Sequence, residues 1–168
     1  MVAALTVGKA KYQEHQALME ETIKEATDIR RNFLEAINKD TEAFNSMSAV
    51  FSMPKTTDEE KAARKEAMQS ALKICTIPPY DIMKLCLSAL ELTERAIGKS
   101  NSTAASDLGV AALSLKAAVQ GAWLNILINI GSINDKEFAE EYRRNGEDIL
   151  QKAMPLADDI YARILNSL

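Results

Sequence analysis

The sequence has few of the residues that interrupt helices and few of the side chains that build common catalytic sites. Its 168 residues include six glycines, four prolines, two cysteines and one histidine. Because Gly and Pro are scarce and no run alternates apolar and polar residues for long, we expect an all-α fold. With His15 as the only histidine, histidine general bases, Ser-His triads and most catalytic zinc sites are excluded. Neither GxxxxGK[ST] nor GxGxxG occurs, so a phosphate-cradling loop has no support.

Cysteine usage and charge narrow the class of protein further. Cys75 and Cys86 form no CxxC pair, which favours reduced cytosolic thiols over a disulfide scaffold or a zinc site. A net charge of −4 argues against a nucleic-acid or anionic-membrane surface. The longest uncharged run, residues 117–134, contains several polar residues, and no secretory signal is visible. We therefore expect a cytoplasmic protein of one domain, residues 1–168, with neither a nucleic-acid nor a membrane partner.

Apolar residues spaced three or four apart predict a series of helices. The first is one long amphipathic helix, or two in line, over 13–53, and the next is opened by a capping box at Thr57–Glu60 and broken by Pro78–Pro79. A further helix over 80–97 is closed by Gly98, and a central helix follows over about 103–130. The last helix starts at Asn134 or Asp135 and is kinked or jointed at Pro155.

The central helix is the most informative segment. Residues 103–133 keep only two formal charges, Asp107 and Lys116, and a helix that is apolar nearly all round is expected to be buried. One row along it is small and polar and includes Asp107, Asn125 and Asn129. Such a row is either a satisfied internal network or the wall of a polar pocket. We therefore expect a helical bundle with a buried central helix, and we look for function on this row first.

Asp40 interrupts an apolar row of the first long helix. The row consists of Phe33, Ile37, Asp40, Phe44, Met47 and Phe51. An unpaired carboxylate on a buried stripe costs several kcal/mol, so Asp40 is either a functional group or the N-cap of a second segment at a joint near 38–41. Asp107 has its own alternative, because an acidic residue in the first turn of a helix is favoured by the helix dipole.

Several segments taken together resemble the cyclodeaminase/cyclohydrolase family of folate enzymes. The matching pieces are MVAALTVGKAKY (1–12), INKDTEAFNSMSAVFSMPK (37–55), TDEEKAARKEAMQSALK (57–73), NSTAASDLGVAAL (101–113) and GAWLNILINIGSINDKEF (121–138). They follow the family's order and span almost the whole chain. The elements GK-x-KY, D-x-EAF and SD-x-GVAAL are specific in combination.

The resemblance implies an all-helical protein that dimerises through helices and binds folate in a cleft at or near the subunit contacts. It implies a cyclodeaminase, which converts 5-formiminotetrahydrofolate into 5,10-methenyltetrahydrofolate and ammonia, or alternatively a cyclohydrolase, which opens the methenyl ring with water to give 10-formyltetrahydrofolate. Neither reaction needs a metal or another cofactor.

The resemblance also implies site residues, at the positions that match the family. From the proton transfers that the reaction needs, our hypothesis is that Asp40 would be the acid/base and Asp107 its partner or an electrostatic stabiliser, while Asn125 would orient the pterin or amidine. Lys9 would meet the glutamate carboxylates of the folate or polarise the water in the cyclohydrolase reaction. The remaining positions that match the family, interpreted as substrate-binding, are Glu42, Asn101 and Ser106.

One departure separates this chain from the family pattern. Family members carry a Gly-rich segment and a small-residue helix upstream of the MVA-x-LTVGK element, whereas this chain begins at Met1 within that element. Two other hypotheses therefore stay open at this point. One is a folate-binding protein without catalytic activity, and the other is a structural helical module in which Asp40 and Asp107 cap helices or close internal hydrogen bonds.

Overall fold

The computed structural model describes all 168 residues, and its regular structure is entirely helical. The four long helices are α1 (Gln16–Phe51), α2 (Asp58–Ala96), α3 (Ala105–Ile130) and α4 (Lys136–Leu165). Short 3₁₀ turns at Ala10–His15 and Ser102–Ala104 precede α1 and α3. The predicted all-α fold is confirmed.

Local sequence signals set several of the helix ends. At the start of α2 the Glu60 backbone N–H donates to the Thr57 hydroxyl at 3.2 Å, and the Thr57 N–H donates to the Glu60 carboxylate at 3.0 Å. This reciprocal pair is the predicted capping box. Asp135 caps α4 by accepting from the Phe138 N–H at 3.1 Å. Past the end of α2, Gly98 has a φ of 73°, a left-handed conformation that closes helices and that glycine adopts without steric cost.

The first long helix is a single element. α1 runs for 36 residues without a break at 38–41, so the alternative of a helix joint there is wrong and Asp40 is not an N-cap. The prediction that Asp40 lies on a buried stripe is also wrong within one chain. Asp40 is exposed, and Ile37 and Phe44 on the same row are 57% and 65% exposed.

The predicted break at Pro78–Pro79 is wrong as well, because α2 continues through both prolines. A proline at position i removes the hydrogen bond to the carbonyl of residue i−4, which for Pro79 is the carbonyl of Cys75. The Asn129 side-chain amide, from α3, donates to that carbonyl at 2.9 Å. A neighbouring helix thus supplies the donor that Pro79 lacks. Helix α4 likewise runs without interruption through Pro155.

Helix α2 lies at the centre of the packing. It contacts α1, α3 and α4, and α3 also packs against α4, whereas α1 and α3 do not contact each other. The fully buried side chains of the main core come from α2, α3, α4 and the loop between α3 and α4. They are Met83, Cys86, Leu90, Ala112, Val119, Ile126, Ile133, Ala153 and Ile160. Helix α4 approaches α3 closely at Gly146, where an added Cβ would lie 2.2 Å from the Trp123 ring.

Burial of the central helix is one-sided. Ala112, Val119 and Ile126 of α3 are fully buried against α2 and α4, but Leu124 and Ile128 are 67% and 74% exposed. Burial on all sides, which the composition suggested, is therefore not found in one chain. By length and composition, the span Ser102–Ile130 would suffice to cross a membrane. Its inner face, however, packs against α2 and α4.

We predict that Asn129→Ala lowers the free energy of unfolding by about 1–2 kcal/mol, because the Cys75 carbonyl loses its donor. Urea unfolding followed by circular dichroism measures the change. Asn125→Ala, one turn earlier on α3, is the matched control, since that side chain is exposed and its truncation should change stability by less than about 0.5 kcal/mol. Equal losses in the two variants would contradict the role given to Asn129.

Candidate functional site

A groove runs along α2 between α1 and α3. It exists because both helices pack on α2 without touching each other. A cavity lies at each end of this groove, and each cavity is lined by all three helices and contains one of the two predicted catalytic aspartates. The groove therefore defines where the site residues of this chain lie.

The larger cavity, here called the Asp40 cavity, has a volume of about 630 Å³. Its apolar lining is formed by Phe44, Met47, Phe51, Met68, Leu72 and Ile128, with the thiol of Cys75 beside them. Its polar lining is formed by Asp40, Gln69, Asn125, Asn129 and Ser132. A concave apolar wall with a few convergent polar groups is the usual form of a small-molecule site.

Asp40, Asn125 and the hydroxyl of Ser132 are the polar groups of this cavity that remain available to a ligand. All three residues are exposed, and none of these side chains takes part in an internal hydrogen bond. Gln69, by contrast, donates to the Ser132 carbonyl at 3.0 Å and accepts from the Asn134 N–H at 2.6 Å. Gln69 therefore holds the loop after α3 in place, while Asp40 and Asn125 face the open space from opposite sides of the groove.

Cys75 lies beside Asp40 in surroundings that disfavour its thiolate form. Burial raises the pKa of the Cys75 thiol, and the nearby Asp40 charge raises it further, because a negative neighbour disfavours the thiolate. The thiol is half-buried and donates to the Ala43 carbonyl at 3.3 Å. Asp40 is the one acidic residue among the side chains that line the cavity.

The second cavity, here called the Asp107 cavity, has a volume of about 410 Å³. Asp107 is half-buried in the first turn of α3 and shares the cavity with Arg30 of α1. Asp107 and Asn125 are eighteen residues apart on α3, or about 27 Å along the helix axis. Within one chain, Asp107 and the Asp40 cavity therefore do not serve one substrate molecule.

Of the four remaining predicted site residues, three lie at the Asp107 end of the molecule and one, Glu42, does not. Asn101 is buried, donates to the Leu5 carbonyl at 3.3 Å and accepts from the Thr103 N–H at 3.2 Å, so it anchors the N-terminal segment to the start of α3. Lys9 and Ser106 are exposed at the same end of the molecule. Glu42 is exposed on α1 and lines neither cavity.

Sequence reasoning missed the contribution of α2 to the Asp40 cavity. The side chains concerned are Met68, Gln69, Leu72 and Cys75. Their spacing of three and four residues places Met68, Leu72 and Cys75 on one helix face, but nothing in that pattern tells a groove from a core. No three His, Cys, Asp or Glu side chains lie together as a metal-binding group.

Comparisons with known proteins agree with this architecture. The family described as formiminotransferase-cyclodeaminase matches residues 1–148. The chain is 37% identical to methenyltetrahydrofolate cyclohydrolase of Methylorubrum extorquens over 98% of its own length and 79% of that protein. It is 28% identical to formimidoyltransferase-cyclodeaminase of Gallus gallus, covering 91% of this chain and 28% of that longer protein.

A solved structure shares the helical arrangement. Formiminotetrahydrofolate cyclodeaminase from Thermotoga maritima is similar over the whole of this chain and 78% of that chain, with a TM-score of 0.77 and 26% identity. The fold and the groove thus define an all-helical domain of the folate-enzyme type. The chain belongs to the formiminotransferase-cyclodeaminase family, and the resemblance drawn from its sequence motifs is confirmed.

We predict that Asp40→Asn accelerates the alkylation of Cys75 by iodoacetamide at a fixed pH near 8.5. Removing the charge of Asp40 lowers the pKa of the thiol and raises the thiolate fraction. Cys86 stays silent because it is fully buried and burial raises its pKa to about 11. Mass spectrometry of the labelled protein gives the rate. Glu21→Gln removes an exposed carboxylate near the start of α1, nineteen residues before Asp40, and should leave the rate unchanged. If the two variants react alike, Asp40 does not face Cys75.

Proposed function

We propose that this protein is an enzyme that acts on the carbon bridging N5 and N10 of tetrahydrofolate. The observation that carries the proposal is the Asp40 cavity, where an unpaired carboxylate and an unpaired carboxamide face an apolar wall. An apolar wall suits the flat rings of a folate, and the carboxylate suits the cationic amidine that both reactions of the family pass through.

Two reactions fit this cavity. Cyclodeamination, the first expectation from the sequence, is supported by the family match and by the similarity to the Thermotoga enzyme. Hydrolysis of methenyltetrahydrofolate is supported by the 37% identity to the Methylorubrum cyclohydrolase, against 28% for the Gallus cyclodeaminase. We give preference to the cyclohydrolase and keep cyclodeamination as the second candidate.

In the hydrolytic reaction Asp40 acts as general base and then as general acid. It takes a proton from the water that attacks the methenyl carbon, and it returns that proton to N5 as the bond from N5 to carbon breaks. The hydroxyl proton of the intermediate leaves to solvent, and 10-formyltetrahydrofolate results. The carboxamide of Asn125, on the opposite side of the cavity, orients the pterin or the amidine.

In the cyclodeamination reaction the same groups suffice. N10 attacks the formimino carbon, Asp40 accepts the N10 proton and passes it to the departing nitrogen, and a second proton from solvent completes the ammonia. The carboxylate also stabilises the cationic ring that forms, through charge complementarity.

The enzyme acts as a homodimer in which the exposed face of α3 is covered by a second copy. This face carries four large apolar side chains that are 48–74% exposed, namely Val110, Leu113, Leu124 and Ile128. Between the two pairs lie only small residues, Ser114, Ala117, Ala118 and Gly121, all exposed. An exposed apolar stripe of this length is characteristic of an interaction surface.

The order of residues on this face supports an antiparallel, two-fold contact. Large side chains flank small ones almost symmetrically about residue 119, so one copy of the helix complements another that runs in the opposite direction. At Gly121 an added Cβ would meet nothing within 4 Å, which leaves room for a close approach. In this arrangement the Asp107 end of one subunit lies against the Asp40 end of the other. Asp107 of the partner subunit then stabilises the cation held by Asp40, and Lys9 of the partner subunit approaches the same site.

We predict that Asp40→Asn lowers kcat at least about 100-fold while far-ultraviolet circular dichroism stays that of the wild type, since the variant loses its general base. Loss of the 5,10-methenyltetrahydrofolate absorbance measures the hydrolysis, and appearance of the same absorbance from 5-formiminotetrahydrofolate measures the cyclodeamination.

Glu21→Gln on the same helix serves as the control and should keep the wild-type rate. An Asp40→Asn protein with wild-type kcat in both assays would refute the assignment of Asp40. A folded wild-type protein that binds 5-formyltetrahydrofolate but is inactive in both directions would favour the non-catalytic folate-binding alternative.

A further inference from the structure

A third cavity, of about 220 Å³, lies at the turn between α1 and α2 and is lined by four cationic side chains. The lining residues are Lys55, Lys61, Arg64, Lys65, Met68 and Gln69. Met68 and Gln69 also line the Asp40 cavity, so the two spaces are neighbours that share a wall. The whole protein has a net charge of −4. The positive charge of this cavity therefore comes from the clustering of these four side chains and not from the overall composition.

Two of the four cations already have partners within the fold. Lys61 pairs with Asp58 at 2.9 Å, and the Arg64 Nε donates to the Val50 carbonyl at 3.2 Å, at the end of α1. Lys55 and Lys65 are exposed and belong to none of the protein's ion pairs. These two side chains remain free to bind an anion from outside.

No acidic residue lines this cavity. The acidic residues nearest to it in the sequence are those of the first turn of α2 and Glu66, which follows Lys65. The Glu60 carboxylate accepts the N–H groups of Thr56 and Thr57 at 2.7 and 3.0 Å. The pKa of Glu59 is lowered mainly by its own backbone N–H, so its charge is held at the helix terminus. The positive charge that faces the cavity is therefore not cancelled inside it.

We propose that the cationic cavity binds the carboxylates of the glutamate that ends the folate substrate, with Lys55 and Lys65 as the principal contacts. The inference rests on the proposed function, since it places the pterin beside Asp40 and Asn125. Lys65 precedes Cys75 by ten residues on α2, which is about 15 Å along the helix. The pterin ring and the glutamate carboxylates are thus bound at separate places along one helix.

The residues between the two cavities fit the middle of such a molecule. Met68 offers a flexible, polarisable surface for an aromatic ring, and both ends of the Gln69 amide are engaged by the loop after α3. This arrangement assigns the tail to a region that the sequence did not indicate. Within one subunit Lys9, which was expected to take that role, lies at the Asp107 end of the groove, whereas in the proposed dimer Lys9 of the partner subunit approaches the Asp40 cavity.

The test compares binding of 5-formyltetrahydrofolate with binding of 5-formyltetrahydropteroate, which ends at the benzoate and lacks the glutamate. Isothermal titration gives both dissociation constants for the wild type and for Lys55→Gln/Lys65→Gln. The control Lys24→Gln/Lys152→Gln removes the same charge from two exposed lysines elsewhere. Binding is read without turnover, so the proposed reaction is not assumed.

We expect the wild type and the control to prefer the glutamate-bearing ligand by about three- to tenfold, and the Lys55→Gln/Lys65→Gln variant to lose that preference. The preference should also weaken as salt is raised, because exposed charge pairs are screened. An unchanged preference in the variant overturns the inference even where the wild type is an active folate enzyme. Lost preference in a protein without turnover upholds the inference and refutes the proposed reaction. Absence of any folate binding by the wild type overturns both.

Discussion

The structure depends on one continuous helix, α2, on which α1, α3 and α4 all pack. Because α1 and α3 share this helix without touching, a groove remains between them, and both predicted aspartates lie in it. Helix α2 stays unbroken at Pro79 because Asn129 donates to the carbonyl that the proline leaves without a donor. Asn129 lies one turn from Asn125, and both line the Asp40 cavity.

One side of this arrangement leaves a large apolar surface uncovered. The outer face of α3 carries the exposed side chains of Val110, Leu113, Leu124 and Ile128, and Phe44 and Phe51 of α1 are exposed as well. Apolar surface of this extent is stabilised by removal from water. In the dimer that we propose, a second copy covers this surface and brings the Asp107 end of one subunit to the Asp40 end of the other, so that assembly would also complete the site.

Local features of the fold followed from the sequence, and features that depend on distant partners did not. Thr57 and Glu60 act within one helical turn, so their capping box was predicted correctly. For α4 the sequence left Asn134 or Asp135 as the first residue, and Asp135 is the cap. The continuity at Pro79 depends on Asn129, fifty residues farther along the chain, and no local pattern reveals it. The apolar row around Asp40 has the same periodicity whether it faces a core or a partner subunit. For that reason the sequence pointed to Asp40 but misjudged its burial, and it did not reveal the cationic cavity.

The measurement that tests the central claim most directly is complementation between two inactive variants. Asp40→Asn and Asp107→Asn proteins are unfolded together in urea, refolded as a mixture and assayed for loss of the methenyltetrahydrofolate absorbance. A site built from Asp40 of one subunit and Asp107 of its partner leaves one intact site in each hybrid, so the mixture should recover about a quarter of the wild-type activity. A refolded, dimeric mixture with no more activity than the two variants alone would contradict a site shared between subunits.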